Sequence, residues 1–257
     1  MADQKLALIT GAAGAVGRAT CIRYAQAGWS LLMIDRVPAL DDLAAELSRT
    51  YDGQFVAAQL DLASDSDLDR LPALIEQTGL PLKTLALVAA VIHEAVSVDA
   101  MDMDVWDNVM RVNLRANVKI VSVCAPLMRA AGGGAITLVT SFWGREGHGF
   151  FSPYCASKAA LISYTQAAAA ELAPEIRVNS VAPGNINTPM HFRALSNEAE
   201  KRGVTREEVQ AVEWGKIPMG RPAHPEEIAA AIHFLSTDEA GYFVGATLDV
   251  NGGCGFY

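Results

Sequence analysis

The chain has 257 residues, of which 51% are apolar and 19% charged, and a formal net charge of −9. That balance excludes intrinsic disorder as the main state and disfavours a nucleic-acid partner held through a basic surface. The longest apolar run, Leu85 to Ile92, falls far short of a bilayer span, so no membrane association is expected. Asp3, Gln4 and Lys5 interrupt any cationic, apolar leader. Cys21, Cys124, Cys155 and Cys254 are widely spaced and form no C-x-x-C pair, which fits reduced thiols in a cytoplasmic protein better than a disulfide scaffold or a zinc site.

In chain order, Leu6 to Ile9 reads as a short apolar strand followed by a glycine-rich turn, and Ala15 to Ala27 as a helix closed by Gly28. Leu31 to Ile34 is the next strand, Leu40 to Thr50 a helix, Phe55 to Leu60 a strand and Asp65 to Gln77 a helix. The continuous apolar character of Leu85 to Val91 predicts a strand buried on both faces. Val105 to Arg129 reads as a long helix or two, and Ala135 to Val139 as a strand. Pro153 to Leu172 is a helix and Arg177 to Val181 a strand. The polar stretch 189–213 is helical in parts, Pro225 to Leu235 is a helix and Thr247 to Val250 a last strand. Short strands alternating with helices predict right-handed β-α-β units, and so an α/β, doubly wound parallel sheet with helices on both faces. Without linker, repeat or low-complexity segment, residues 1–257 read as one domain.

The first turn, Thr10-Gly11-Ala12-Ala13-Gly14-Ala15-Val16-Gly17, lies between a strand and a helix. Small residues there let the backbone approach a pyrophosphate, and the helix N-terminus offers it unpaired N–H groups. Asp35 ends the second strand, where a carboxylate accepts hydrogen bonds from ribose hydroxyls and repels a 2′-phosphate, arguing for NAD over NADP. Arg36 pulls the other way, because a guanidinium attracts that phosphate. No Lys-Ser/Thr follows the turn, which excludes a phosphate-binding NTPase loop. Tyr154 and Lys158 stand at i and i+4, sharing one helix face. A cation beside a phenol favours phenolate and makes proton exchange with an alcohol feasible. Ser141 follows an apolar strand, where its hydroxyl could hold the substrate oxygen.

With Thr10-Gly11…Gly17, Asp61-Leu62, Asn113 in Val112-Asn113-Leu114, Ser141, Tyr154…Lys158, Pro183-Gly184…Thr188 and the closing Leu248-Asp249-Val250-Asn251-Gly252-Gly253, the chain resembles the classical short-chain dehydrogenase/reductases over essentially its whole length. The resemblance implies a single Rossmann-type domain and hydride transfer between nicotinamide and an alcohol or carbonyl. It implies Tyr154 as general acid/base, Lys158 lowering its pKa and binding the nicotinamide ribose, Ser141 orienting the substrate oxygen, and Asn113 holding a relay water. It also implies contacts of Asp61 and Leu62 with adenine, of Thr188 with the pyrophosphate or carboxamide, and of Ile186 with the carboxamide; Thr10, Gly11, Gly14, Val16, Gly17, Pro183 and Gly184 would bind the cofactor at the same site. Ala15 replaces a usual glycine. Ala89-Ala90-Val91-Ile92 replaces the family's Asn-Asn-Ala-Gly, so weaker strand cross-links and a site narrowed by Ile92 are expected, with Ala89 and Ala90 still meeting the ribose through their backbone.

Around the substrate, the family layout places His93, Trp143, Arg145, His148, His191 and Arg193, donors that suit a small polar substrate such as a sugar, a polyol or an anionic alcohol. Residues 189–215 would form a lid. No metal-ligand cluster appears. The helix Ser157–Leu172 is apolar nearly all round, which supports a homo-oligomer, and the resemblance implies a tetramer. An acyl-carrier-protein ketoreductase is the nearest alternative, disfavoured by Asp35. A nicotinamide-binding protein without turnover is a second, disfavoured by the intact Ser141, Tyr154 and Lys158.

Overall fold

In the computed structural model, residues 4–257 are described. Strand β1 (Leu6–Thr10) is buried at every position, as an unbroken apolar run requires at the centre of a sheet. Its side chains alternate: Leu6 and Leu8 join one core, Ala7 and Ile9 the other. After it come α1 (Ala15–Gln26), β2 (Ser30–Asp35), α2 (Leu40–Thr50), β3 (Phe55–Gln59), α3 (Asp65–Leu68), α4 (Leu71–Thr78) and β4 (Leu82–Leu87). The second half adds α5 (Met103–Met110), α6 (Ala116–Ala130), β5 (Gly134–Val139), α7 (Ser152–Leu172), β6 (Ile176–Pro183), α8 (Pro189–Arg202), α9 (Arg206–Gly215), α10 (Pro225–Ser236) and β7 (Thr247–Val250). All strand pairs are parallel, in the order β3-β2-β1-β4-β5-β6-β7. The expected doubly wound sheet is therefore present. The chain builds outward from β1 to β3, then crosses back to place β4 on the other side of β1. A crevice must open at the carboxyl ends of β1 and β4, where that order reverses.

The two cores lie on opposite sheet faces. Leu8, Leu32, Leu85 and Ile136 pack under Ile120 and Met128 of α6 and Leu161 and Leu172 of α7. Ile9, Leu31 and Met33 pack under Cys21 and Tyr24 of α1 and Ile228 and Ile232 of α10. On the outer side of α7, Ala159, Ala167 and Ala170 are exposed. Among the described residues no helix is long and apolar enough to cross a membrane, and no cluster of metal-binding side chains occurs.

Two elements differ from the sequence reading. The strand expected over Leu85–Val91 runs instead over Leu82–Leu87, because pairing with β1 sets Leu6 against Leu82 and Thr10 against Leu87. The apolar run continues past the strand end because 88–92 turns into the crevice wall rather than the sheet. The helix expected over Asp65–Gln77 is broken before α4, where Pro72 lacks the N–H that would bond back one turn. The long helix or two expected over 105–129 is two, α5 and α6, joined through a π-helical turn, Arg111–Arg115. That turn contains Asn113 and re-aims it, a common use of such bulges at functional sites.

Candidate active site

A cavity of about 450 Å³ occupies the β1/β4 crevice, within the usual range for a cofactor or small-ligand site. Its floor is the first turn. Gly11 has φ +66°, and a Cβ there would lie 2.8 Å from Ala89 Cα. A Cβ on Gly17 would lie 1.9 Å from the Gly11 carbonyl oxygen, an impossible contact. Helix α1 has Gly14 at its N-cap and so no side-chain cap, and its first N–H groups face the cavity. The Ala15 methyl group is exposed in the cavity lining and displaces no backbone, so the departure from glycine is tolerated. On the opposite wall a Cβ on Gly184 would lie 2.8 Å from Asn251 Cα. Bare backbone on both walls and an uncapped helix start fit the pyrophosphate of a dinucleotide.

At one end of the cavity stand Asp35, Arg36, Asp61 and Leu62. Asp35 Oδ2 accepts from Ala13 N at 3.0 Å and Oδ1 from Arg36 N at 2.7 Å, so the carboxylate braces the turn as well as lining the site. Each oxygen keeps a lone pair for a ribose hydroxyl. The Arg36 side chain pairs with no carboxylate among the described residues.

At the other end Ser141, Tyr154 and Lys158 converge, with Ile186, Thr188 and Met190 facing them. Helix α7 carries Tyr154 and Lys158 on one face, and the Lys158 ammonium lies 5.6 Å from the Tyr154 ring centroid. Lys158 is buried and Nζ donates to the Val139 carbonyl at 2.7 Å. Ser141 Oγ accepts from Trp143 N at 3.2 Å, which fixes the hydroxyl at the strand end. The electrostatics depart from the expectation that Lys158 depresses the phenol. Burial pushes Tyr154 up to about 12, only partly offset by a hydrogen bond with Ser141, and burial pushes Lys158 down to about 7. The reason is that both groups are withdrawn from water and Lys158 is spent on a carbonyl rather than on the phenol oxygen.

That burial has a stability consequence. Lys158 is protonated to pH 10.5 in the unfolded chain but only to about 7 in the fold, so the unfolded state binds more protons between those values and stability rises with pH across them. Lys158→Met, which removes the penalty, should raise the melting temperature more at pH 7 than at pH 10. Melting curves at the two pH values check it.

Several expected residues sit elsewhere. Thr10 is fully buried behind the floor, where its Oγ accepts from Val88 N and Ala89 N at 3.1 and 3.2 Å. Asn113 is also buried: its side chain accepts from Val91 N at 2.8 Å and donates to Val91 O and Ser157 Oγ, so it clamps the segment after β4 instead of facing the cavity. Thr10 and Asn113 thereby supply the cross-links that the missing asparagines were expected to weaken. Ile92 does not narrow the cavity, because it packs against Phe151, Cys155 and Ala194. Ala89, Ala90, Val16, Pro183 and Gly184 line it as expected.

The substrate assignments fare worse. Arg145 Nη2 lies 3.4 Å from Asp249 Oδ2 and its guanidinium covers the Tyr257 ring. His148 Nε2 lies 3.1 Å from Glu198 Oε2. Trp143 and His148 line a separate pocket of about 60 Å³, with Glu213 and Lys216. His191 Nε2 accepts from Trp214 Nε1 at 3.1 Å, joining α8 to α9, and burial pushes its pKa down to about 4, so it is neutral. Arg193 is exposed. His93 is buried edge-on to Phe151 and neither ring nitrogen has a partner among the described residues. None of these six residues lines the main cavity, and an anion subsite built on Arg145 and His148 does not fit these placements. Sequence reasoning missed Thr140, Val112, Leu60 and Pro189 in the lining. Thr140 and Pro189 adjoin Ser141 and Thr188 and were within reach, whereas Val112 and Leu60 carry no signal beyond being apolar.

Comparison with known proteins agrees with this geometry. Residues 11–255 match the profile of the family described as enoyl-(acyl carrier protein) reductase. The chain is 33% identical to the 3-oxoacyl-[acyl-carrier-protein] reductase of Thermotoga maritima, covering 98% of each chain. It is 32% identical to the NAD-dependent glycerol dehydrogenase of Listeria innocua, over 97% of this chain and 93% of that one. Among solved structures, NAD⁺-bound xylitol dehydrogenase superposes with a TM-score of 0.91 at 25% identity, over 98% of this chain and 100% of that one. A putative NAD(P)-dependent gluconate 5-dehydrogenase from Beutenbergia cavernae, with bound NADP at low occupancy, superposes with a TM-score of 0.85 at 30% identity, over 97% and 96%.

Proposed function

The chain belongs to the classical short-chain dehydrogenase/reductase family, and from that premise we propose that it is an NAD-dependent oxidoreductase interconverting a small polar secondary alcohol, or sugar hydroxyl, and its ketone. The observation that carries this reading is the convergence of Ser141, Tyr154 and Lys158 at one end of a cavity whose other end is a bare glycine turn and a strand-end carboxylate. The placements of Arg145 and His148 leave no anion subsite built on those two residues. Residues 1–257 act as one domain, with 189–215 as the lid.

Nicotinamide, when bound, supplies the acceptor or donor of hydride. The chain's part is to hold and move the proton. Ser141 Oγ orients the substrate oxygen toward the Tyr154 hydroxyl, which takes the proton of an alcohol or gives one to a ketone. Lys158, freed from Val139 or sharing its protons, reaches the ribose side of the phenol and stabilises its charged form. The Asp35 carboxylate accepts from the adenosine ribose.

Two predictions follow from these roles. The buried phenol keeps its proton through neutral pH, since its pKa lies near 12. Alcohol oxidation needs that proton gone and ketone reduction needs it present. Oxidation at saturating cofactor should therefore accelerate from pH 7 to pH 10, while reduction, whose phenol stays protonated across that range, changes little; steady-state rates in both directions check the contrast. Asp35→Asn removes the repulsion of a 2′-phosphate, and should shift the NAD/NADP ratio of kcat/KM toward NADP by at least about tenfold, equivalent to about 1.4 kcal/mol.

The test of the reading itself is an absorbance screen for NADH formation across sugars, polyols, hydroxy acids and cyclic alcohols, repeated with NADP⁺. Turnover of any of these alcohols with NAD⁺ supports it. NAD(H) binding without turnover of any of them overturns it. The acyl-carrier-protein ketoreductase reading draws support from Arg36, which pairs with no carboxylate among the described residues, and from the similarity to the 3-oxoacyl-[acyl-carrier-protein] reductase of Thermotoga maritima; a strong preference for NADPH with an acyl thioester would select it. We also place the protein in the cytoplasm as a homotetramer, burying the outward alanines of α7 between subunits. A monomer in sedimentation analysis would remove that assignment.

A further inference from the structure

Glu198 of α8 is buried at 5% exposure in a helix whose composition reads as a solvated surface. Burying a carboxylate is costly unless it is well partnered. Here burial raises its pKa, but hydrogen bonds from His148 and Arg202 outweigh that and hold the carboxyl below its ordinary value. Oε1 accepts from Arg202 Nη1 at 2.8 Å, within α8. Oε2 meets His148 Nε2 at 3.1 Å, across to the loop that follows Ser141. The Arg202 contact alone would be an ordinary i, i+4 pair, so the link to His148 is what a buried glutamate adds.

From His148 the contacts continue inward. Its ring stacks on Trp143 with centroids 4.1 Å apart and planes 11° from parallel. Trp143 also stacks on Phe151, at 5.3 Å and 26°. The indole then meets the Tyr154 ring edge-on, at 5.9 Å and 89°. Rigid aromatic contacts of this kind fix orientation as well as burying area. The backbone supports the same chain: His148 N donates to Cys155 Sγ at 3.4 Å, next to Tyr154. A continuous path of packed rings thus joins the helix over the substrate end to the phenol that moves the proton, without any of its three members lining the main cavity.

We propose that Glu198, His148 and Trp143 are positioning residues that couple α8 to the Tyr154 ring, so that seating α8 and aiming the phenol are a single event. The inference rests on Tyr154 being the proton-transfer group. It assigns the Ser141–Phe151 loop a mechanical role in place of the substrate contacts expected of Trp143 and His148. Rate should therefore fall without loss of cofactor affinity when the chain is cut anywhere, and cutting it twice should cost no more than cutting it once.

Hydrogen exchange on the cofactor-free protein tests the coupling independently of turnover. Glu198→Gln should raise exchange in α8, in 142–151 and in the first turn of α7, and leave β1 and α1 unchanged. Exchange that rises in α8 alone overturns the proposal. In turnover, Glu198→Gln, His148→Ala and Trp143→Leu should each lower kcat about tenfold, short of the ~100-fold that a 1 Å displacement of a reacting group costs, with NADH affinity unchanged. Glu198→Gln combined with Trp143→Leu should match the worse single variant, and His148→Gln, which keeps a donor for Glu198, should recover part of the loss. Additive losses, or equal loss of NADH affinity, would mean that these residues serve only general stability. Absence of turnover in the unaltered protein would count against the dehydrogenase reading, while the exchange experiment would still decide the coupling.

Discussion

Tyr154→Phe should lower turnover by about 10²- to 10⁴-fold, the usual worth of a positioned general acid/base, and leave NADH affinity nearly unchanged. The substitution removes one oxygen. It leaves the ring that packs against Trp143, so the aromatic cluster and the first turn of α7 should keep their places. The hydroxyl is uncharged at neutral pH in both the folded and the unfolded chain, so its loss takes no buried charge out of the fold. The cofactor end lies across the cavity at Gly11 to Gly17 and Asp35, beyond reach of the lost atom. Turnover measured beside a fluorescence titration of NADH separates the two effects. A variant that keeps most of its activity would transfer the proton-moving role to another group and undo the reading of the site.

Gly17→Ala should be the most damaging substitution in the floor of the cavity. The added methyl carbon would lie 1.9 Å from the Gly11 carbonyl oxygen and 2.9 Å from Ala12 Cα, both backbone atoms with no rotamer to change. Relief requires moving α1 away from the turn. That helix packs on α10 and buries Thr20, Cys21 and Tyr24 under the sheet, so the shift spreads into the core. Overpacking of this kind costs about 1–3 kcal/mol and more where backbone must move. Displacing the helix start also withdraws its N–H groups from the pyrophosphate position. Both the melting temperature and NADH affinity should drop, the latter by at least about tenfold, equivalent to about 1.4 kcal/mol. Gly28→Ala is the control for stability alone: Gly28 has φ +80° but an open surrounding, so backbone strain should lower the melting temperature while the cavity keeps its shape.

The contrast between the two ends of the cavity explains what was readable in advance. The glycine turn, Asp35, and the Tyr154/Lys158 pair are local patterns: a bare turn needs small residues, a strand end needs its carboxylate at one position, and a shared helix face needs a fixed spacing. The strands and helices followed from apolar periodicity for the same reason, and most were placed within a residue or two. The limits of β4 were not, since pairing with Leu6 and Thr10 of β1 ends the strand inside a run that stays apolar. The motifs around Thr10 and Asn113 imply contact with cofactor or relay water, yet both side chains hold the segment after β4.

What the amino-acid order determined by itself was the family, the parallel sheet and the candidate residues for chemistry, because each is written in neighbours along the chain. Only the tertiary structure decided which polar side chains are free. Arg145, His148 and His191 look alike as loop donors until Asp249, Glu198 and Trp214 arrive from distant segments and engage them. Charge is a property of a residue, but its availability depends on what the fold brings within about 4 Å, where a pair interaction becomes strong enough to hold a side chain. The same holds for Glu198, whose i, i+4 partner suggests a wet surface and whose burial is set by a loop fifty residues away.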